Sequence, residues 1–374
     1  MNIGILKEKF ENEERVALTP AAVESLVYAG NNVIVERNAG AAAKFTNDSY
    51  QEAGATVAYS SEEVIGRSDM IVKVIQPDDE ELALLHEGQV LLSFLHFGVA
   101  TRDFIGTLEK KNITAIAFEL IEDSDGYHSV LSQMSEIAGQ LAIVESARYL
   151  CTDKGGRGLL LGGMPGVAPA AVVILGAGSA GRSAARTALG MGAQVILLDK
   201  DLAKLRQADI MLEKRATTVV ASPDNIRRGI SFADVFIGAI TIDEEEDHHM
   251  VTEEMVKTMK AGGIIMDISI DEGGCVETTH PTTISDPVFT KYGVLHYCVP
   301  NMPSMVARSS TYALTNAILP LVKTVAAVGV RDALRIMPHL SKGIALMEGV
   351  PVAPILEEML DIPVHPLSLD NDHA

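Results

Sequence analysis

Tryptophan is absent from these 374 residues, aromatic residues make up 5%, and the three cysteines, Cys151, Cys275 and Cys298, include no CxxC pair. Thiols so scattered exclude a disulfide framework and a thiolate metal site, and no metal is expected. Cations are also scarce: 30 Lys and Arg stand against 50 Asp and Glu, a formal net charge of −20. Nucleic-acid phosphates and anionic membranes are both recognised by clustered cations, so neither is an expected partner. The N-terminus, MNIGILKEKFENEERV, lacks a cationic segment followed by an apolar one, so no signal peptide is expected. No apolar run reaches the length expected of a membrane span. The expected compartment is the cytoplasm.

Apolar residues account for 47% of the chain, enough for a large interior, and the length favours two domains. Short β-forming runs at 2–6, 32–36, 70–74, 89–94 and 114–118 alternate with helix-length segments, which implies parallel βαβ construction. Thr19-Pro20 opens one of the helices as cap and first residue. A long helix is expected from Met134 to about Cys151, a second from Tyr312 to Val328, and small helices in the tail.

The stretch VVILGAGSAGRSAARTALGMGAQVILLD, 172–199, is the most specific signal in the chain. It reads as strand, glycine turn, helix and second strand ending in an acid, the unit that binds dinucleotides. Gly176 allows the sharp turn, Gly178 the approach of a pyrophosphate, and Gly181 close helix–strand packing, with the helix N-terminus facing the phosphates. Asp199 stands where a carboxylate accepts from a ribose diol, which favours NAD over NADP. The fold class is therefore α/β: two Rossmann-like parallel-sheet domains. Residues 131–307 form the NAD-binding domain, and 1–130 plus 308–374 the substrate domain.

Ligands of such sheets bind beyond the carboxyl ends of the strands. Arg15 follows the first strand and suits a substrate carboxylate, or else faces solvent in a charged stretch. Lys73 lies inside an apolar strand, where its head needs water, an anion or a substrate. His96 ends a strand and could trade a proton near neutral pH, or be structural. Asp271 is expected to end the strand 264–270 of the NAD-binding domain and Asn301 to follow the next, near the expected nicotinamide end.

ERVALTP (14–20), FLH (94–96), MSEIAGQ (134–140), GGRGLLLGGMPGVAPA (155–170), MDISIDEGGCVET (266–278), HYCVPNMPS (296–304) and STYALTNA (310–317) occur in this order around the glycine turn. Together they resemble the alanine dehydrogenase family, which includes the first domain of the proton-translocating transhydrogenase. The resemblance implies an active site in an interdomain cleft, NAD-dependent interconversion of alanine with pyruvate and ammonia, and a homohexamer. It implies that Arg15 binds the substrate carboxylate, His96 is the acid/base and Asp271 orients water or the imine. Asn301, Met302 and Ser135 would line the nicotinamide end, while Gly176, Gly178, Gly181, Asp199, Lys204 and Ser222 would contact the rest of NAD.

Several positions depart from the family pattern. Its K-V-K-E-P segment, whose second lysine is catalytic, is here Lys73-Val-Ile75-Gln-Pro77. Lys73, two residues away, is expected to share the face of Ile75 on a strand and to take over the catalytic and substrate-binding role. Residues 242–249 form an anionic run ending in two histidines, either a solvated face or a recognition element for a cation. Gln140, Pro300, Ser304, Met305 and Ala307 also differ. These changes leave open a dehydrogenase of a different amino or imino acid, or an NAD-binding regulatory protein with little turnover.

Overall fold

The computed structural model describes residues 1–98, 100–123, 126–240 and 249–367. The chain divides into two compact units, Met1–Met134 with Ser304–Ala374, and Ser135–Pro303.

The first unit opens with six strands: β1 (Asn2–Ile5), β2 (Asn32–Glu36), β3 (Thr56–Ala58), β4 (Met70–Ile75), β5 (Val90–Phe94) and β6 (Thr114–Ala117). Their order in the sheet is β3-β2-β1-β4-β5-β6, all parallel. The order reverses between β1 and β4, so the loops after these strands splay apart and leave room for a ligand. The strands are nearly continuous apolar runs because helices cover both faces. Leu6, Ile71, Leu91, Ile105, Leu108 and Leu346 belong to one buried cluster. Full burial of each such side chain contributes about 1.5–3 kcal/mol.

The second unit contributes β7 (Ala171–Leu175), β8 (Gln194–Asp199), β9 (Thr217–Val220), β10 (Val235–Gly238), β11 (Ile264–Asp267), β12 (Val288–Lys291) and β13 (Val294–Tyr297). Its order, β9-β8-β7-β10-β11-β13-β12, is again doubly wound, with β12 antiparallel at one edge. The chain then returns to the first unit through the helix Ala307–Val328. By length and composition the segment Met302–Val328 could cross a membrane. Its buried face, however, includes Thr311 and Thr315, which hydrogen-bond the loop after β1.

Several elements differ from expectation. The tail does not consist of helices alone: β14 (Ile344–Met347) adds antiparallel to β6, and β15 (Val350–Pro351) pairs with β14. Asp271 does not end a strand. β11 stops at Asp267, and Ile268–Glu272 form a 3-10 turn. Most of the anionic run, 242–248, lies outside the described residues, whereas His249 is exposed.

Candidate active site

In the second unit the glycine turn follows β7 directly. Gly176 has φ +107°, and a Cβ there would stand 2.1 Å from the carbonyl oxygen of Ala239. A Cβ on Gly181 would stand 1.8 Å from the carbonyl oxygen of Gly176, so the helix Ser179–Gly190 can start this close to β7 only with glycine there. Gly178 caps that helix without a side-chain hydrogen bond, and the space its Cβ would take is open. This is a cradle shaped for a pyrophosphate at a helix N-terminus. A Cβ on Gly139 would lie 2.1 Å from the carbonyl oxygen of Ala180. Glycine in the segment 134–140 thus lets the helix Leu131–Tyr149 approach the same turn, where the hydroxyl of Ser183 donates to the carbonyl of Glu136 at 2.8 Å.

Asp199 ends β8 almost fully buried. Its Oδ2 accepts from the N–H of Ala177 at 2.6 Å and its Oδ1 from that of Asp201 at 2.8 Å. Each oxygen keeps acceptor capacity toward a diol, so the residues present fit a dinucleotide with a free 2′-hydroxyl. Ser222 caps the helix Pro223–Phe232, its Oγ accepting from Asn225 at 3.3 Å, and Lys204 is exposed on the helix Leu202–Met211.

Beyond β11, Asp267 accepts from the N–H of Cys275 at 3.0 Å and the hydroxyl of Thr279 at 2.8 Å, which closes the loop carrying Asp271. The Asp271 carboxylate accepts from the N–H of Asn301 at 3.1 Å, and Asn301 is held at φ +52°. The structure therefore brings Asp271 and Asn301 together, with Met302 buried beside them in sequence and Ser135 half-buried on its helix.

In the first unit the loop after β1 is pinned to the helix Ala307–Val328. The N–H of Val16 donates to Thr311 Oγ1 at 3.2 Å, that of Thr19 to Thr315 Oγ1 at 3.1 Å, and that of Glu14 to Ser304 Oγ at 2.9 Å. Pinning buries Arg15, which is 4% exposed. Glu13 grips one edge of the guanidinium, Oε1 accepting from Nε at 2.7 Å and Oε2 from Nη2 at 2.6 Å. The thioether of Met134 sits 3.1 Å from Nη1. A sulfur is a weak acceptor, which a carboxylate would readily displace. A cavity of about 330 Å³ is lined by Lys7, Glu8, Glu13 and Arg15.

His96 follows β5 with φ +49°, its ring tilted against Phe94 at 5.8 Å between centroids. Its pKa is pushed down to about 4, first by desolvation and second by the Arg15 guanidinium, with Glu13 opposing. Solvent still reaches the side chain. The imidazole is thus neutral at physiological pH. The amides of Leu95 and His96 both donate to the carboxylate of Glu119, at 3.0 Å and 2.7 Å. Desolvation raises Glu119 to about 7 despite those bonds.

Lys73 is placed differently from expectation. It is fully buried, with Nζ 2.8 Å from Glu81 Oε2 and 3.4 Å from Glu8 Oε2. Desolvation pushes its pKa down, but Glu8 and Glu81 outweigh this and the net shift is upward. The β4–β5 register also shifts between Val72 and Ile75. The bulge exposes the N–H of Val74 to Glu8 Oε1 at 2.7 Å and leaves Ile75 half-buried at the strand end. Sequence reasoning missed Glu13, Glu119 and Met134. The i, i+2 spacing of Glu13 and Arg15 was visible, but in a charged run it signals nothing by itself.

Comparison with known proteins agrees with this architecture. The family model for the N-terminal domain of alanine dehydrogenase/PNT matches residues 4–138, and that for the C-terminal domain matches 142–354. The chain is 41% identical over 367 residues to an alanine dehydrogenase of Methanococcus maripaludis, covering 98% of each. It is 40% identical over 363 residues to one of Mycobacterium tuberculosis, covering 97% of this chain and 98% of that one. A solved L-alanine dehydrogenase superposes with a TM-score of 0.90 at 38% identity, over 96% of this chain and 99% of the other. A transhydrogenase from Sinorhizobium meliloti shares the fold, with a TM-score of 0.79 at 24% identity over 95% and 99%. From first strand to last, the chain belongs to the alanine dehydrogenase/PNT family.

Proposed function

We propose that this protein is an NAD-dependent alanine dehydrogenase, oxidising L-alanine to pyruvate and ammonia and catalysing the reverse amination. The observation that carries the reading is full-length similarity at about 40% to proteins named alanine dehydrogenase. Arg15 beside a neutral His96 supports it.

Bound NAD supplies the hydride acceptor. Gly176, Gly178 and Gly181 seat its pyrophosphate, Asp199 takes the ribose diol, and Lys204 and Ser222 flank the remaining nucleotide. Ser135, Asn301 and Met302 line the nicotinamide end. Arg15, held by Glu13, orients the substrate by its carboxylate. At the imine stage, neutral His96 takes the proton from the attacking water, which forms the C–O bond of the carbinolamine. The protonated imidazole then returns its proton to the departing nitrogen; as the C–N bond breaks and ammonia leaves, the imidazole takes the hydroxyl proton and the C=O bond of pyruvate forms. Asp271, fixed against the Asn301 backbone, orients the water or the imine.

Lys73 has no direct part in this reading. Its ammonium serves the Glu8–Glu81 cluster, and Ile75 presents an apolar wall where the family carries its second lysine. That observation favours a second reading, a dehydrogenase for an amino acid with a larger apolar side chain. The enzyme is further read as a cytoplasmic homohexamer.

The test is NADH oxidation with ammonium and a panel of 2-oxo acids, for the wild type and Ile75→Lys. Pyruvate as the best wild-type substrate supports the first reading. A larger apolar 2-oxo acid preferred by the wild type, with pyruvate gaining in Ile75→Lys, supports the second. No turnover of any 2-oxo acid by either protein removes both.

A further inference from the structure

The last backbone pair of β5 with β6 is Ser93 with Ala117. Beyond it Phe94 still pairs with Ile75 of β4, and the two amides that follow are those of Leu95 and His96. Both are taken by one side chain, Glu119, in the 3-10 turn Phe118–Leu120 that follows β6. Its Oε1 accepts from Leu95 at 3.0 Å and from His96 at 2.7 Å, and Oε2 lies 3.2 Å from Leu95. Two successive N–H groups converge on one anion only when the backbone curls, with a residue in the left-handed region. That residue is His96, at φ +49°, a conformation uncommon for residues other than glycine. The turn is closed on its far side by the N–H of Ala100, which donates to the His96 carbonyl at 3.0 Å. Glu119 is itself braced, its carbonyl lying 3.0 Å from His128 Nδ1.

We propose that Glu119 is the positioning residue for His96: its carboxylate fills the concavity formed by the Leu95 and His96 amides and so fixes the direction of the imidazole. Glu119 contacts the backbone and not the ring, so it acts through His96. The proposal rests on the reading of His96 as the acid/base group. Without an acceptor at this place, the His96 backbone relaxes toward negative φ and swings the ring away from its working direction.

The experiment compares full-length wild type, Glu119→Gln, Glu119→Ala and His96→Asn by steady-state amination of pyruvate. It also records the imidazole Cε1–H NMR signal of His96, assigned by its loss in His96→Asn. Glu119→Gln keeps an oxygen that can accept from both amides, so its kcat and its His96 signal should stay near wild type. Glu119→Ala should lower kcat by about 100-fold, the cost of a misplaced catalytic group. KM for pyruvate should remain unchanged and the His96 signal should move or double. Should Glu119→Ala fail to fold, Glu119→Asp, with its oxygens drawn back from the amides, replaces it. An unmoved His96 signal with wild-type kcat in the alanine or aspartate variant overturns the proposal. Equal damage in Glu119→Gln and Glu119→Ala overturns it too. Turnover by His96→Asn overturns the acid/base reading instead, and the NMR comparison then still decides whether Glu119 sets the ring.

Discussion

Arg15 acts through the partner that holds it. A buried guanidinium with a loose side chain would spend part of its binding free energy on being ordered, whereas Glu13 has fixed it in advance. Losing a charge-assisted bond costs about 1.5–3 kcal/mol, so Glu13→Ala should raise KM for pyruvate by about tenfold or more. Steady-state kinetics at saturating NADH checks this, and an unchanged KM would show that Arg15 does not depend on Glu13. The depressed pKa of His96 has its own consequence. A folded-state value of about 4 against an ordinary 6.5 means that this group's contribution to stability is complete above pH 6.5 and is lost as pH falls toward 4. An NMR titration of the His96 ring should find its midpoint well below 6.5. Asp199→Ser removes the diol acceptor, and the ratio of NADH to NADPH affinity, read by fluorescence titration, should fall by at least tenfold. His96 and Asp199 were legible from residue type at a strand end, and Arg15 from its place in the loop after the first strand. Glu13 and Glu119 were not, because acidic residues are abundant in this chain and only contact singles one out.

At the level of elements, the strand β4 carries a buried charge beside a local irregularity. Its register with β5 shifts after Val72, and the next residue, Lys73, is enclosed against two carboxylates. Removing one partner of a buried ionic cluster costs about 3–5 kcal/mol, because the remaining charges stay desolvated. Lys73→Met should therefore lower the melting temperature sharply, whereas a ligand-facing lysine would cost activity with little loss of stability. Glu8 in the same cluster is raised to about 7, by desolvation and against the pull of Lys73. A carboxyl raised in the fold stabilises below its ordinary value and loses that contribution as pH rises through 7. The melting temperature of Glu8→Gln should accordingly fall less between pH 5 and 7.5 than that of the wild type. The glycine turn makes the opposite case, since its geometry was readable in advance. A Cβ on Gly181 meets backbone, so Gly181→Ala should abolish NADH fluorescence enhancement while β7 and β8 still form.

For the whole molecule, the two units share the strand order third-second-first-fourth-fifth around different chemistry. Arg15 follows β1 and the glycine turn follows β7, strands at which each order reverses and loops diverge. The charge of −20 is the other whole-molecule property. Like charges repel in a compact state, and salt screens exposed pairs beyond about 10 Å at 0.1 M. Raising sodium chloride from low to physiological strength should therefore increase the melting temperature. A decrease would mean that attractive surface pairs outweigh the net repulsion.

The sequence by itself determined the alternating α/β construction, the dinucleotide turn with its acid, the loop that carries Arg15 and the strand end where His96 stands. Those features follow from apolar periodicity, glycine stereochemistry and residue type, which are local. Only the tertiary structure decided that the tail adds β14 to the edge of the first sheet, since that pairing joins segments far apart in the chain. It also decided that Lys73 is enclosed and that Glu13 and Glu119 hold Arg15 and His96. A carboxylate's role depends on which donor lies within hydrogen-bonding distance, and that distance is set by packing rather than by sequence spacing.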